Sequence, residues 1–471
     1  MADFFAHQKY FLMGIKGVAM TSLAQLLVDA GNEVVGVDVK EDFVTKKILS
    51  RLPIEISNDF ELELPGDIDC VVYTAAHKGP DNPIVIQAEQ KSLPVYSHAE
   101  ALSEFFNIKK GIAVCGVGGK SSTSAMITHI FEQVDPQSFS VGVGNISGIN
   151  KTGSYLPDST YFIAEADEYV TDSSAPSKGV EINPRFFYLQ PFITVCTNLE
   201  FDHPDVYRDF EHTKSVYKTF FNSNNQAGAL IINGDDQDLA ELAEQVSVRK
   251  YSFGEKTEND LRLVEYYAVE GSVGAKLLYQ GQDYLLKLVV PGKYNVFNAM
   301  AAILACLEAG VSIEDSISAL ETFASTMRRF EYIGEKSGIK YYDDYAHHPH
   351  EIKKVIKALS EWYPHNRKVI AFQSHTFSRT KQLFGDFITS FDDADKLVMI
   401  DIFASAREPI DPTITSDLMC QEINKINPQL EAENLGSVNH LANYFNTKLE
   451  LGDIVLTIGA GNIYEVHDLV E

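Results

Sequence analysis

The spacing of hydrophobic positions changes period repeatedly along this chain. Short apolar runs at 10–13, 33–37 and 70–74 have the length of strands, and Leu23, Leu26 and Leu27 recur at helical spacing between the first two. A strand, a glycine turn, a helix and a second strand ending at Asp38 therefore follow one another, in the order of a βαβ unit. A helix near 99–106 leads to the boundary Asn107-Ile108-Lys109-Lys110-Gly111. The pattern then restarts. A strand at 112–115 runs into a glycine-rich turn and a helix carrying Ala125, Ile127 and Ile130, and later apolar runs end before Glu165 and Asn198. Residues 262–290 alternate as antiparallel strands do, with Gly281-Gln282 as the turn, and read as a small β insertion or edge. From Met327 a third series of strands, at 340–342, 368–372, 396–400 and 453–457, is separated by helical stretches. Strands alternating with helices predict mostly parallel sheets. The expected fold is α/β with three domains, at 1–108, 109–326 and 327–471.

Composition supports that division. A length of 471 residues suggests about three domains. Apolar residues at 45% and charged residues at 22% describe an ordinary globular protein. The net charge of −27 argues against a general binder of nucleic acid or of anionic membranes. Local basic residues still permit a small anionic substrate. The five cysteines, Cys70, Cys115, Cys196, Cys306 and Cys420, show no metal-ligand spacing and are odd in number, which points to a reducing cytoplasm. The first seven residues lack the basic start of a signal peptide, and no apolar run is long enough to span a bilayer. A cytoplasmic monomer or homodimer acting on small molecules is expected.

Three stretches at strand ends carry chemistry. The first is Gly116-Val117-Gly118-Gly119-Lys120-Ser121. Glycines let backbone N–H groups turn toward an anion, and the helix that follows adds its positive end. Lys120 would reach the β- and γ-phosphates of ATP, and Ser121 would offer a hydroxyl to Mg2+. The full eight-residue phosphate-loop pattern asks for glycine at position 114, where this chain has Val114. Taken alone, the stretch also fits a tight turn between strand and helix. The second stretch, Glu165-Ala166-Asp167-Glu168, offers carboxylates of the kind Mg2+ accepts. The third, Thr197-Asn198-Leu199-Glu200-Phe201-Asp202-His203-Pro204-Asp205, contains a histidine able to ligate a metal through its neutral ring.

Together these stretches resemble the Mur ligase family, whose phosphate loop reads Gly-Thr-x-Gly-Lys-(Thr/Ser)-(Thr/Ser). Gly116, Val117, Gly118, Gly119, Lys120, Ser121 and Ser122 occupy that loop here. The resemblance implies that Ser121, Glu165 and His203 hold Mg2+. Gly292-Lys293-Tyr294-Asn295-Val296-Phe297-Asn298 looks like the family's adenine-contacting stretch, with Asn295 and Asn298 as contacts and Tyr294 in place of the usual histidine. Arg328-Arg329-Phe330-Glu331 and Asp343-Asp344-Tyr345-Ala346-His347-His348-Pro349 match two further signatures. They imply Arg329 on the γ-phosphate, Asp344 on the ribose and His348 on the amino-acid side. His375 and Arg379 lie in a stretch similar to that of the family's alanine-adding branch and would join His348 there. Gly14, Gly17, Asp38, Thr74, His98 and Glu168 would contact the UDP part of a substrate. The resemblance spans nearly the whole chain. It implies a Rossmann-like UDP-binding first domain, a central phosphate-loop ATPase domain and a Rossmann-like third domain.

The implied reaction is ATP-dependent amide formation between UDP-N-acetylmuramate and L-alanine. Lys120, Glu165, His203, Arg329 and His348 form the implied catalytic set. A tripeptide, L-alanyl-γ-D-glutamyl-diaminopimelate, is the alternative amine. Two readings from other classes stay open at this point. One is an NAD-dependent oxidoreductase built on the first unit, although Lys16 and Met20 interrupt the Gly-x-Gly-x-x-Gly pattern it needs. The other is a non-catalytic nucleotide-binding module.

Overall fold

The computed structural model describes residues 4–41, 43–142, 152–168, 184–201, 207–269, 271–403 and 410–470. Three mostly parallel sheets organise them, so the α/β expectation holds. The first contains β1 (Lys9–Met13), β2 (Glu33–Val37), β3 (Glu55–Ser57), β4 (Cys70–Tyr73) and β5 (Val95–Ser97), in the order β3-β2-β1-β4-β5. β1 pairs in parallel with β2 on one side and β4 on the other. The strand order reverses at β1, and the crevice at such a switch point is where α/β sheets bind ligands.

The second sheet contains β6 (Lys110–Cys115), β7 (Phe139–Gly142), β8 (Gly153–Ser154), β9 (Tyr161–Glu165) and β10 (Ile193–Cys196). It continues with β11 (Ala229–Asn233), β12 (Arg249–Gly254), β13 (Leu261–Val269), β14 (Ser272–Tyr279) and β15 (Gln282–Leu288). The order is β15-β14-β13-β12-β11-β10-β6-β9-β7-β8. β13–β15 thus form one edge, as their alternation suggested. Their turn falls one residue earlier than expected, at Gln280 and Gly281, both with positive φ (50° and 81°). That backbone is the one that matches the twist of a two-residue hairpin.

The third sheet contains β16 (Glu331–Lys336), β17 (Ile339–Asp344), β18 (Lys368–Phe372), β19 (Lys396–Met399), β20 (Glu433–Asn434) and β21 (Ile454–Ile458), in the order β16-β17-β21-β18-β19-β20. Among the described residues, β16–β17 is the one antiparallel pair of this sheet.

The chain divides into two compact units. One comprises Met1–Glu265, Lys276–Leu286 and Val296–Phe323, the other Tyr266–Ala275, Lys287–Asn295 and Ala324–Glu471. Within the first unit, residues on both sides of position 108 share one core. Leu102, Phe105 and Phe106 of the helix His98–Phe106 are buried with Phe162, Ala164 and Phe186. The helix forms here because Ser97 and Glu100 close a reciprocal capping box at its start. Its apolar face then covers the second sheet as well as the first.

Candidate active site

Strand register assembles the nucleotide end of the site. β6 lies between β10 and β9, and Cys115 pairs with Cys196 while Val114 pairs with Glu165. Three strand ends therefore share one edge of the second sheet, carrying the phosphate loop, Thr197-Asn198 and Glu165. Val114 is a fully buried strand residue. The sharp backbone falls later, at Gly116 (φ 118°) and Gly119 (φ 85°), which explains why position 114 needs no glycine. A Cβ on Gly116 would lie 2.3 Å from Thr197 Oγ1, and one on Gly119 2.5 Å from Asn298 Oδ1. Thr197 and Asn198 brace the loop from β10. Thr197 Oγ1 donates to the Gly118 carbonyl at 2.5 Å, and Gly118 N donates to Asn198 Oδ1 at 3.1 Å. Asn298, expected at adenine, stands against Gly119 and accepts from Thr123 Oγ1 at 3.4 Å.

Lys120 opens the helix Lys120–Val134. Its ammonium donates to the Gly116 carbonyl at 2.7 Å and to Glu168 Oε2 at 2.9 Å. Burial works against its charge, yet Glu168, Asp167 and Glu165 together raise its pKa above that of an ordinary lysine. Ser121 Oγ donates to Glu165 Oε2 at 3.0 Å. A hydroxyl and a carboxylate held together are hard oxygen donors of the type Mg2+ takes, so these residues fit the ion. His203 lies outside the described residues. Among those described, no group of three or more His, Cys, Asp or Glu could hold a metal.

Glu168 corrects one expectation. It was grouped with the UDP contacts, but the structure puts it at the phosphate loop, 2% exposed. Its Oε2 meets Lys120, and its Oε1 accepts from the Tyr217 hydroxyl. The reason is local. β9 ends at Glu165, and Ala166 N still donates to the Val114 carbonyl of β6 at 2.8 Å, which keeps Glu168 close to the phosphate loop that follows β6.

The edge of the first sheet holds the remaining UDP candidates. Gly17 N donates to the Gly14 carbonyl at 3.2 Å, and the Thr74 side chain lies against Gly14. Asp38 is 1% exposed. Its two oxygens accept from Lys16 N at 2.7 Å and Val39 N at 2.8 Å, so it braces the glycine turn against β2. His98 is also turned inward. Its Nε2 donates to the Ala19 carbonyl at 3.1 Å, which leaves Nδ1 as the bare acceptor, and Nδ1 has no hydrogen-bond partner. It helps to line a cavity of ≈ 20 Å3 with Glu165, Asp167 and Arg185, large enough for one water molecule.

Burial, with Arg185 nearby, pushes the His98 pKa down to about 3. Unfolded histidine titrates near 6.5. Below that pH the unfolded chain takes up a proton that the folded chain refuses. The stabilising contribution is therefore complete above pH 6.5 and is lost as pH falls toward 3. By pH 5 the loss is about 2 kcal/mol. Urea unfolding of wild type and His98→Gln should show the wild type losing that much more between pH 7 and pH 5. Parallel curves would mean that His98 titrates normally in the fold.

The second unit carries a separate cluster at the end of its own sheet. Asp344 ends β17, in register with Ile458 of β21, which pairs with Phe372 of β18. Its oxygens accept from Phe330 N and Ala346 N, each at 2.7 Å. Burial raises its pKa to about 6 despite Arg329 and the two amides. The charge of Arg329 also acts on Tyr294, His347 and Glu351, and its guanidinium lies 5.4 Å from the Tyr345 ring centroid. Burial keeps His347 below the usual histidine pKa, and Arg379 pushes it the same way. Burial works against ionisation of Glu351, but His347 and Arg329 hold its pKa below the usual carboxylate value. His348 is exposed and caps the helix Pro349–Trp362, accepting from His350 N at 3.4 Å. His375 stacks on Phe403 at 5.6 Å, and Arg379 lies in the helix Phe377–Gln382. Asn295 donates to the Pro291 carbonyl at 2.8 Å.

The two arginines of the pair differ. Arg328 is buried, with Nε on Asp343 Oδ2 at 2.9 Å and its two terminal nitrogens on the carbonyls of Gly461 and Gly459. It also lies 4.5 Å from the Tyr464 ring centroid. Arg329 is only partly buried.

Comparisons with known proteins place this geometry. Residues 9–110 match the model described as the catalytic domain of the Mur ligase family, 114–306 the Mur ligase middle domain, and 328–461 the glutamate ligase domain. UDP-N-acetylmuramate–L-alanine ligase of Clostridium acetobutylicum is 36% identical over 468 residues, covering 98% of this chain and 97% of that protein. The chain belongs to the Mur ligase family. The fold is also that of two solved family structures. UDP-N-acetylmuramate-alanine ligase from Thermotoga maritima superposes with a TM-score of 0.81 at 23% identity, covering 98% of each chain. A murein peptide ligase from Psychrobacter arcticus gives 0.68 at 21% identity, covering 98% of this chain and 97% of the other.

In this Mur ligase the sequence motifs did not single out Tyr217 beside the phosphate loop, or Glu351 in the cluster of the second unit. Thr197 and Arg328 lie within or beside the motifs, but their buried polar partners are visible only in three dimensions. Tyr217 sits in an amphipathic helix, where an aromatic residue reads as core. Among the described residues no helix is long and apolar enough to cross a membrane.

Proposed function

We propose that this Mur ligase joins L-alanine to UDP-N-acetylmuramate with conversion of ATP to ADP and phosphate. The observation that carries the reading is Lys120, Ser121 and Glu165 meeting on one sheet edge, within a chain 36% identical, end to end, to an alanine-adding ligase. A carboxylate is a poor electrophile. One of its oxygens attacks the γ-phosphorus of ATP, ADP departs, and an acyl phosphate results. The amine then attacks the acyl carbon, phosphate leaves, and the amine gives up a proton.

The residues divide this work. Backbone amides from Gly116 to Ser122 and the Lys120 ammonium offset repulsion between the triphosphate and the incoming carboxylate. Ser121 and Glu165 would hold Mg2+, with His203 as a third candidate. When bound, the ion neutralises charge on the transferring phosphoryl group. Arg329 would meet the γ-phosphate, Asp344 the ribose, and Asn295 and Asn298 the adenine end. Gly14, Gly17 and Thr74 border the crevice proposed for UDP, with Asp38 and His98 supporting its walls. His348, His375 and Arg379 would serve the amino acid. Five free cysteines and nucleotide substrates suit a cytoplasmic enzyme.

Phosphate release measured with UDP-N-acetylmuramate and a panel of amines tests the reading. L-alanine should give the highest kcat/KM. Faster turnover with L-alanyl-γ-D-glutamyl-diaminopimelate would make this a tripeptide ligase instead.

A further inference from the structure

Tyr217 lies in the helix Phe210–Asn222 and is 1% exposed. Its ring packs edge-on against Phe186 and Phe221, with centroids 5.6 Å and 5.9 Å away. A phenylalanine would fill this place in the core equally well, so packing does not explain the hydroxyl. The hydroxyl donates to Glu168 Oε1, while Glu168 Oε2 meets Lys120 at 2.9 Å. Lys120 in turn donates to the carbonyl of Gly116, inside the phosphate loop. The three side chains form a line from the core to the loop, and all are at least mostly buried.

We propose that Tyr217 is a positioning residue for the phosphate loop, anchoring one oxygen of Glu168 so that the other holds Lys120 in place until a triphosphate claims the ammonium. The inference rests on the reading that Lys120 binds the triphosphate. The chemistry follows from the geometry. A carboxylate tied at one oxygen can still rotate, whereas one tied at both is fixed in plane. Fixed in this way, Glu168 presents Lys120 in one orientation. When phosphate oxygens replace Oε2 as the lysine's partner, Oε1 remains tied to the helix. Glu168 then cannot swing its negative charge toward the incoming phosphates. Burial, followed by the charge of Glu168, raises the phenol pKa well above its ordinary value, so Tyr217 stays a donor throughout the working pH range. Without the hydroxyl, the buried carboxylate is free to follow Lys120 or to face the phosphates, and either weakens nucleotide binding.

The test is calorimetric binding of AMP-PNP with MgCl2 to the full chain, without the other substrates. Tyr217→Phe keeps the ring in the core, and near-ultraviolet circular dichroism checks that the packing survives. Loss of a hydrogen bond to a buried charge predicts roughly ten-fold weaker binding. In turnover assays the KM for ATP should rise while the KM for the amine is unchanged. In a Glu168→Ala background the same substitution should have no further effect, because Tyr217 acts only through Glu168. Binding equal to wild type, or the same loss in both backgrounds, overturns the proposal. Lys120→Ala serves as the control. Undiminished AMP-PNP binding by that variant would defeat the underlying reading of the loop, whereas weakened binding there with an unchanged Tyr217→Phe defeats the tyrosine's role alone.

Discussion

Replacing Lys120 with alanine should lower turnover by about three orders of magnitude. Lys120 is a fixed cation on the edge where the phosphate loop and the Glu165 carboxylate meet, and the proposed reaction brings two anions together there. Its charge counts for more in a mostly buried site than in water. The substitution has a second consequence. Glu168 is 2% exposed and, among the described residues, would keep the Tyr217 hydroxyl as its hydrogen-bond partner, so the variant should also lose stability. Lys120→Ala combined with Glu168→Gln separates the two effects. The double variant should recover thermal stability without recovering phosphate release. Turnover within ten-fold of wild type in the single variant would end the catalytic reading of the loop.

Arg328→Met should destabilise the second unit by about 3–5 kcal/mol, the usual result of breaking a buried ion pair from one side. Asp343 is 1% exposed and keeps one further bond, from Thr457 Oγ1 at 2.5 Å. The carbonyls of Gly459 and Gly461 would lose their donors as well. In a unit of this size the melting temperature should fall by about 10 °C, as differential scanning calorimetry would show. The backbone adds a finer expectation. Arg328 has φ 58°, a region that costs any side-chain-bearing residue and costs glycine nothing. Arg328→Gly should therefore be more stable than Arg328→Ala by about 1 kcal/mol. Arg329→Ala, at the partly buried neighbour, should reduce activity. Equal melting of Arg328→Met and wild type would mean that the network around Asp343 carries no stability.

Asp344 and Glu168 show how far motif reading reaches. Asp344 was legible through the resemblance of Asp343–Pro349 to a family signature, and β17 ends on it. Its pKa near 6 was not, since burial and two amide donors come from residues 14 positions back and 2 ahead. Glu168 was legible as a member of an acidic cluster at a strand end. Its direction was not, because that depends on Lys120 and Tyr217, 48 and 49 residues away. Val114 is the opposite case. Compared with a short motif it looked like a defect, and the register of β6 against β10 and β9 shows that the motif's turn begins two residues later.

The sequence alone determined the alternation that makes parallel sheets, the glycine positions where backbone must turn, and the residue types that suit phosphate, metal and amine. Each of these is a local property, because periodicity, φ preference and side-chain chemistry belong to short stretches of chain. The tertiary structure decided which charges meet. It parked Lys120 on Glu168, turned His98 inward, and buried the first of two adjacent arginines while leaving the second partly exposed. Those outcomes depend on strand order and register, which bring residues far apart in the chain to one edge, and on burial, which sets what each charge costs.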